Sequence, residues 1–190
     1  MEKVYNFVER IIALFLLVFL LPFFIVISII IALDLKTNPI FKQYRMGRYE
    51  KEFCIYKFRT LKADAPKDIP TDEIIDYSEY STKIGLLLRA LSIDKLPQIL
   101  NIIKGEMSFV GPRPVMLNET ELNLKRKVLG IYNVRPGITG WSQINGRDTL
   151  DVDEKVFFDL EYIKNKSIKF DMYIMFKTVF KVFKRENIKL

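Results

Sequence analysis

Asp94 stands at the start of a predicted helix, where a carboxylate could act as a nucleophile. The stretch from Leu91 to Gly105 has apolar residues at helical spacing, and its Pro97 suits a first turn. The field of a helix favours an ionised carboxylate at this end, and nearby backbone N–H groups could receive a phosphate. Many aspartates at this position only cap a helix, so the position alone does not assign a catalytic role.

The residue types of the chain exclude several other chemistries. Its 190 residues contain no histidine and one cysteine, Cys54. Ser-His-Asp and Cys-His catalysis, His-ligated zinc, thiolate clusters and an internal disulfide are therefore excluded. Covalent or acid–base work must come from carboxylates, lysines, hydroxyls or a hard metal ion.

Two segments hold arginines in stiff backbone settings. Arg113 lies between Pro112 and Pro114, and each proline restricts its own φ and the conformation of the residue before it. The segment from Val134 to Arg147 combines Pro-Gly and glycine turns with the only tryptophan and two more arginines. Glycines let a backbone approach a ligand closely, and guanidinium groups match phosphate oxygens.

A third basic segment, from Tyr56 to Thr60, alternates aromatic and basic residues as a strand does, so Lys57 and Arg59 are predicted to share one face. For each of the three segments taken alone, a purely structural role explains the residues as well as a functional role does. Together with Asp94 they supply the carboxylate, the fixed cations and the tight turns that a phosphate-transfer site needs.

The chain carries an excess of positive charge, which favours an anionic partner. Lysine and arginine number 30 against 23 aspartates and glutamates, for a formal charge of +7. Residues 64–79 carry a net −5 and two prolines, which predicts a solvated acidic loop and leaves +12 on the rest. Charge alone does not choose among nucleic acid, a lipid surface and a phosphorylated small molecule.

The N-terminal region has an apolar run long enough to lie in a bilayer. From Ile11 to Leu33 there are 23 residues without an ionisable side chain, and a helix needs about 20 to cross. Pro22 lies at the centre of the run, so the helix should kink or reverse there. Spanning and re-entrant topologies both remain open. In either case the many positive residues after Leu33 place that part of the chain in the cytoplasm.

Residues 168–185 predict an amphipathic helix with an aromatic side and a basic side. Such a helix lies at a membrane surface or packs its aromatic side on the domain core, and the neighbouring basic residues favour the membrane surface. The apolar side comprises Tyr173, Phe176, Val179, Phe180, Val182 and Phe183, and the basic side Lys177, Lys181, Lys184 and Arg185.

Several of these segments together resemble the monotopic bacterial sugar transferases, the polyprenyl-phosphate phosphoglycosyl transferases. The resemblance covers nearly the whole chain. It rests on the proline-interrupted apolar run, on residues 56–60 and 88–105, and on two long motifs at 104–114 and 134–147. The length resembles the minimal form of the family.

The resemblance implies a two-step exchange at the membrane surface. In the family an aspartate, matched here by Asp94, attacks the sugar-bearing phosphorus of a UDP-sugar and releases UMP. Undecaprenyl phosphate then takes the phosphosugar from the aspartyl intermediate. The matching aspartate also helps to hold Mg²⁺, which makes Asp94 the predicted metal ligand. The predicted substrate-binding residues are Lys57, Arg59, Arg89, Arg113, Arg147 and Asp159.

The resemblance also implies an α+β, mainly helical, monotopic protein at the cytoplasmic face of the bacterial inner membrane. We expect residues 1–36 to form a re-entrant helix hairpin broken near Pro22, although the serine of the family's serine-proline pair is Leu21 here. Residues 37–190 should form a compact cytosolic catalytic domain. The expected partners are a UDP-sugar, undecaprenyl phosphate and membrane lipids. Nucleic acid is not expected, because it would not explain the apolar run.

Lys95 departs from the family pattern, in which glutamate follows the nucleophilic aspartate. A carboxylate there would help to gather magnesium, whereas an ammonium group repels the ion and attracts a diphosphate directly. Lys95 is thus the second predicted catalytic position, with three interpretations: an active enzyme with weaker magnesium binding, a narrower substrate class, or a catalytically impaired binding or scaffold homologue. The motifs concern the phosphates and do not specify the sugar, the glycoconjugate pathway or the oligomeric state.

Overall fold

The structure, a computed structural model, describes residues 2–65, 80–146 and 149–184. Its mixture of helices and short strands agrees with the predicted α+β, mainly helical class. The helices are α1 Glu2–Leu35, α2 Lys83–Ala90, α3 Ile99–Lys104, α4 Thr120–Val128, α5 Trp141–Asn145, α6 Val152–Asn165 and α7 Ile168–Lys184. The strands are β1 Ile40–Met46, β2 Glu52–Phe58, β3 Ser108–Val110, β4 Val115–Met116 and β5 Gly137–Thr139.

Two small sheets position the central segments of the domain. Antiparallel β1 and β2 pair from Ile40 opposite Phe58 to Met46 opposite Glu52, and β4 joins the free edge of β1. Strands β3 and β5 form a separate parallel pair. The side chains of a strand alternate between its faces, so Lys57 follows the buried Ile55 on the same face of β2.

Helix α1 packs against the domain along both halves of its length. Before Pro22, Ala13 and its neighbours pack on Ile102 of α3 and on β2. After Pro22, Ile31 joins a second cluster with Phe58 and with α2. The opposite face of α1 is exposed and strongly apolar, with Phe15, Phe19 and Leu33 among the most exposed side chains.

Polar contacts fix the N-terminal turns of α1 to the domain. The Tyr5 hydroxyl donates to Asp171 Oδ2 of α7 at 2.6 Å. The buried Glu9 carboxylate pairs with Arg135 and accepts from the Ser108 hydroxyl at 2.5 Å. Burial raises the pKa of Asp171, and the hydrogen bonds from its tyrosine partners oppose that shift.

Helix α1 continues through Pro22 from Glu2 to Leu35, so the predicted break into a hairpin is not confirmed. A proline removes one backbone donor and can bend a helix without ending it. At the far end of α1, the Thr82 hydroxyl donates to Asp34 Oδ2 at 2.5 Å. The two ends of this long apolar helix therefore both lie against the same domain.

Helix α7 covers the range predicted to be amphipathic and leaves its aromatic side exposed. Ile174 and Asp171 are buried, whereas Tyr173, Phe176 and Phe180 are between 45% and 62% exposed. The helix packs on the domain through the stripe that contains Ile174 and also through Tyr173, whose ring centroid lies 6.3 Å from that of Trp141. The position of α7 at a membrane surface stays a prediction.

Candidate active site

A cavity of about 140 Å³ opens beside Lys95, between the sheets, a 3-10 helix and α7. Its walls come from segments far apart in the sequence, including β1, β2, β5 and the proline-flanked Arg113. The cationic side chains that line it are Arg45, Lys57, Lys95, Arg113 and Lys181.

Asp94 lies in the 3-10 helix Ile93–Gln98, which precedes α3. The helix predicted to begin near Asp94 is thus divided into this 3-10 helix and α3, and it ends as predicted at Gly105, whose φ is +82°. Asp94 is only 8% exposed. The Lys95 ammonium lies 3.0 and 3.3 Å from its two carboxylate oxygens, so the predicted nucleophile and its unusual neighbour form one ion pair.

The cavity is strongly cationic. Burial lowers the pKa of Lys57 well below its ordinary value of 10.5, and the nearby Arg45 and Arg113 lower it further. Asp94 acts in the opposite direction. Glu119 Oε1 lies 3.9 Å from Arg45. Five lining cations against these two neighbouring carboxylates form a site with surplus positive charge, which suits phosphate oxygens.

Close backbone packing holds the segment that carries Arg113. Gly111 N–H donates to the Thr139 carbonyl at 2.9 Å, and Gly137 N–H donates to the Pro112 carbonyl at 2.9 Å. A Cβ on Gly137 would lie only 2.1 Å from the Gly111 nitrogen. These two glycines therefore allow two protein segments to approach each other closely. The sequence alone suggests that such glycines allow the backbone to approach a ligand.

Asp159, a predicted substrate-binding residue, supports the Arg113 segment through Arg126. Its buried carboxylate pairs with Arg126 and accepts from the Ser142 hydroxyl at 3.1 Å. Arg126 Nη1 also donates to the Arg113 carbonyl at 2.6 Å. Burial raises the pKa of Asp159 and Arg126 opposes that shift. Asp159 does not line the cavity, so the structure supports a positioning role in place of substrate contact.

The other predicted residues are divided between the cavity and its surroundings. Arg59 follows the end of β2, donates to the Asn38 carbonyl at 2.9 Å and does not line the cavity. Arg89 lies in the last turn of α2, also outside the lining. Arg147 and most of the predicted acidic loop 64–79 lie outside the described residues.

Sequence reasoning did not identify two cationic residues of the lining. Arg45 is on β1, where no motif distinguishes it from the other basic residues of the hairpin. Lys181 was assigned to the basic side of α7. A helical signal was available for it, because Lys181 follows the buried Asp171 and Ile174 and the half-buried Thr178 along one stripe.

The described residues do not form a magnesium site of their own. Mg²⁺ prefers several oxygen ligands in an octahedral arrangement. Asp94 is the one carboxylate among the predicted residues beside the cavity, and Lys95 engages both of its oxygens. Among the described residues no group of three or more acidic or cysteine side chains could hold a metal ion. Magnesium stays a prediction of the family resemblance.

Comparison with known proteins decides which kind of protein carries this cavity. The profile of the family described as bacterial sugar transferase matches residues 2–185. The chain belongs to this family. The matched range includes α1, the whole cationic lining and the described part of α7, so the family assignment covers the site as well as the fold.

Relatives within the bacterial sugar transferase family share the same region. The chain is 40% identical over 162 residues to the uncharacterized sugar transferase EpsL of Bacillus subtilis, covering 84% of this chain and 77% of that protein. It is 42% identical over 155 residues to the UDP-glucose:undecaprenyl-phosphate glucose-1-phosphate transferase of Escherichia coli, covering 76% and 32%. It is 35% identical over 162 residues to the undecaprenyl-phosphate galactose phosphotransferase of Salmonella typhimurium, covering 78% and 34%. The chain thus spans about a third of the last two.

Proposed function

We propose that this bacterial sugar transferase moves a sugar-1-phosphate from a UDP-sugar to undecaprenyl phosphate through a covalent intermediate on Asp94. The observation that carries the proposal is the buried Asp94 carboxylate, which does not itself line the cationic cavity but is ion-paired with Lys95, which does. The Escherichia coli and Salmonella typhimurium relatives are named for sugar-phosphate transfer to undecaprenyl phosphate. Family membership and the electrostatics of the cavity therefore support the same reaction.

The proposed reaction has two displacements at one phosphorus atom. In the first, an Asp94 oxygen bonds to the sugar-bearing phosphorus, the bond to the bridging oxygen breaks, and UMP leaves with the electron pair. In the second, a phosphate oxygen of the lipid bonds to that phosphorus and the bond to Asp94 breaks. The products are UMP and a polyprenyl-diphosphate-sugar, and the Asp94 carboxylate is regenerated.

Lys57, Lys95 and Arg113 stabilise the charge that moves during these displacements. Lys95 must release at least one Asp94 oxygen for attack, and a bound diphosphate offers its ammonium group an alternative partner. Arg113 is fixed by its flanking prolines and by Arg126, so it can bind phosphate oxygens with little loss of conformational entropy. Lys57 lies on the core-facing side of β2, where burial lowers its pKa, and a bound phosphate favours its protonated form.

The packing of α1 supports a monotopic arrangement at the cytoplasmic face. Tyr5 and Glu9 near one end, and Asp34 at the other, all contact the same domain. A helix that crossed the bilayer would place Tyr5 and Glu9 on the side opposite the domain, where these contacts could not form. The exposed apolar face of α1 would instead rest in one leaflet.

Turnover of the purified protein tests the proposed reaction. The protein in detergent is incubated with undecaprenyl phosphate and a panel of UDP-sugars, and the readouts are UMP and the mass of the lipid product. We expect UMP and a polyprenyl-diphosphate-sugar with at least one donor. If no donor yields either product, the proposed activity is wrong.

The Lys95–Asp94 ion pair favours a second candidate function, a catalytically impaired membrane-bound binding or scaffold protein. An ammonium group on both carboxylate oxygens shields the nucleophile. Turnover by Lys95→Glu together with none by the native protein would support this second function. Turnover by the native protein would exclude it.

Cysteine labelling tests the topology independently of catalysis. Lys3→Cys and Lys166→Cys, each in a Cys54→Ser background, are compared in intact cells and in inverted membrane vesicles with a membrane-impermeant maleimide. We expect both to react only in inverted vesicles. Labelling of Lys3→Cys in intact cells would contradict the monotopic arrangement.

A further inference from the structure

Helix α7 belongs both to the cavity and to the exposed apolar surface. Thr178, Lys181 and Val182 line the cavity. On the other side of the helix, Met172, Phe176 and Val179 are more than half exposed. Because a helix of this kind lies at the level of lipid headgroups, a cation on its inner side is at the depth of a lipid phosphate.

Hydrogen bonds to β5, to Tyr162 and to α1 hold α7 in this position. The Thr178 hydroxyl lies 2.7 Å from the Thr139 hydroxyl of β5, which also lines the cavity. Asp171 accepts hydrogen bonds from Tyr162 and from Tyr5 of α1. The position of Lys181 is therefore fixed relative to β5 and to the apolar helix α1.

We propose that Lys181 binds the phosphate of the polyprenyl lipid acceptor as it enters from the membrane. The inference rests on the proposed function. The other four lining cations come from β1, β2, the 3-10 helix and the Arg113 segment, so Lys181 alone among them belongs to the helix with the exposed aromatic side. Within the described chain no carboxylate pairs with the Lys181 ammonium group.

The order of the two displacements explains why one cation can contribute to binding of the lipid acceptor more than to binding of the UDP-sugar donor. The lipid phosphate takes the place that UMP leaves, so cations beside Asp94 serve donor and acceptor in turn. A group on the membrane-facing helix distinguishes them, because the lipid arrives along that helix and the UDP-sugar arrives from water. Removing Lys181 should therefore impair the second displacement much more than the first.

Lys177 offers a matched control one turn away. Its ammonium group lies 5.6 Å from the ring centroid of Tyr173 on the exposed part of α7, and Lys177 does not line the cavity. Lys177→Met therefore removes the same charge from the same helix. It reports any general attraction of α7 to an anionic membrane.

The test compares Lys181→Met, Lys181→Arg and Lys177→Met in two assays. Without acceptor, we expect all three to give a native rate and amplitude of UMP burst within about threefold. With undecaprenyl phosphate, we expect Lys181→Met to lower kcat/KM for the lipid by about 10- to 100-fold, the range typical of one lost charge-assisted contact. We expect Lys181→Arg to recover most of that loss and Lys177→Met to stay within about twofold of the native value.

A lipid-specific loss would support the proposal. An equal loss of burst rate and lipid kcat/KM in Lys181→Met, or no loss in either, would overturn it. Binding of farnesyl phosphate in detergent, measured by calorimetry, gives a readout without turnover. We expect Lys181→Met to weaken this binding at least tenfold and Lys177→Met to leave it unchanged, even if no donor is turned over; equal affinities would again overturn the proposal. Absence of UMP release would count against the proposed function alone.

Discussion

The charges of this protein form two regions with opposite organisation. Behind the cavity, buried acids and bases are matched: Glu9 pairs with Arg135 and Asp159 with Arg126. In the cavity, five cations exceed the neighbouring carboxylates, and the pKa of Lys57 falls as a result of burial and of its neighbours. Matched buried pairs hold helices in place, whereas a cluster with a surplus of one sign gains stability when an ion of the opposite sign binds.

The difference between the matched pairs and the cationic cavity distinguishes two arginines that have similar sequence surroundings. Arg113 and Arg135 both stand beside prolines, and both belong to motifs that resemble the family. The structure places Arg113 in the cavity and Arg135 against Glu9, with a further hydrogen bond to the Met107 carbonyl at 3.0 Å. Substitutions at these pairs therefore test the division between the two regions.

The largest effect is expected at the two aspartates. Asp94→Asn removes the proposed nucleophile, so we expect turnover to fall by at least about 10³-fold with little change in Tm. Asp159→Asn should lower Tm, because Arg126 keeps its charge in a buried place without its counterion. UMP release and thermal unfolding are measured for both. Near-native turnover by Asp94→Asn would remove Asp94 from the role of nucleophile.

The two arginines should separate activity from stability. Arg113→Ala removes a cavity cation, so we expect kcat/KM for the UDP-sugar to fall by about 10²-fold with a small change in stability. Arg135→Ala leaves Glu9 buried without its partner, which typically costs about 3–5 kcal/mol of unfolding free energy. Denaturant unfolding and activity per folded molecule check the pair. Equal effects on activity would contradict the division.

Lys95→Glu should change the response to magnesium. The substitution places a second carboxylate beside Asp94, so divalent ions gain a ligand that the native protein lacks. We expect the ratio of turnover in Mg²⁺ to turnover in EDTA to be about tenfold higher in Lys95→Glu than in the native protein. Equal ratios would show that residue 95 does not affect metal use.

The smallest effect concerns the protonation of Lys57. The pKa of Lys57 in the folded protein lies below its ordinary value of 10.5. At pH values between the folded pKa and 10.5 the unfolded chain therefore binds more protons than the folded chain, so the contribution of Lys57 to stability rises with pH. The negative charge of bound UDP should raise this pKa and cause proton uptake. Calorimetry of UDP binding in two buffers of different ionisation enthalpy should show up to one proton taken up. Lys57→Met should show less, and identical uptake would contradict the assignment.

The sequence predicted the elements whose signals are local. The apolar run, the amphipathic α7 and the helix stop at Gly105 each follow from spacing or residue type within one segment. The continuity of α1 through Pro22 did not follow, because packing on α3 and α2 along both halves supports the helix across the proline. That support comes from residues distant in the sequence.

The site was predicted in part for the same reason. Asp94, Lys95, Lys57 and Arg113 are in short segments with distinctive residue types. The last three line the cavity, and Asp94 is ion-paired with Lys95. Asp159 and Arg135 have equally suggestive types, but their partners are more than 30 residues away, and no spacing rule reveals those pairs. Lys181 enters the site only through the packing of α7 on β5.

Trapping the covalent intermediate tests the role of Asp94 most directly. The native protein and Asp94→Asn are mixed with the donor that supports turnover, without lipid acceptor, quenched in acid and examined by intact-protein mass spectrometry. We expect the native protein to gain the mass of one sugar phosphate, to lose it when undecaprenyl phosphate is added, and Asp94→Asn to gain nothing. An adduct of the same yield on Asp94→Asn, or lipid-linked product formed with no adduct on the native protein at any time, would contradict the covalent role of Asp94.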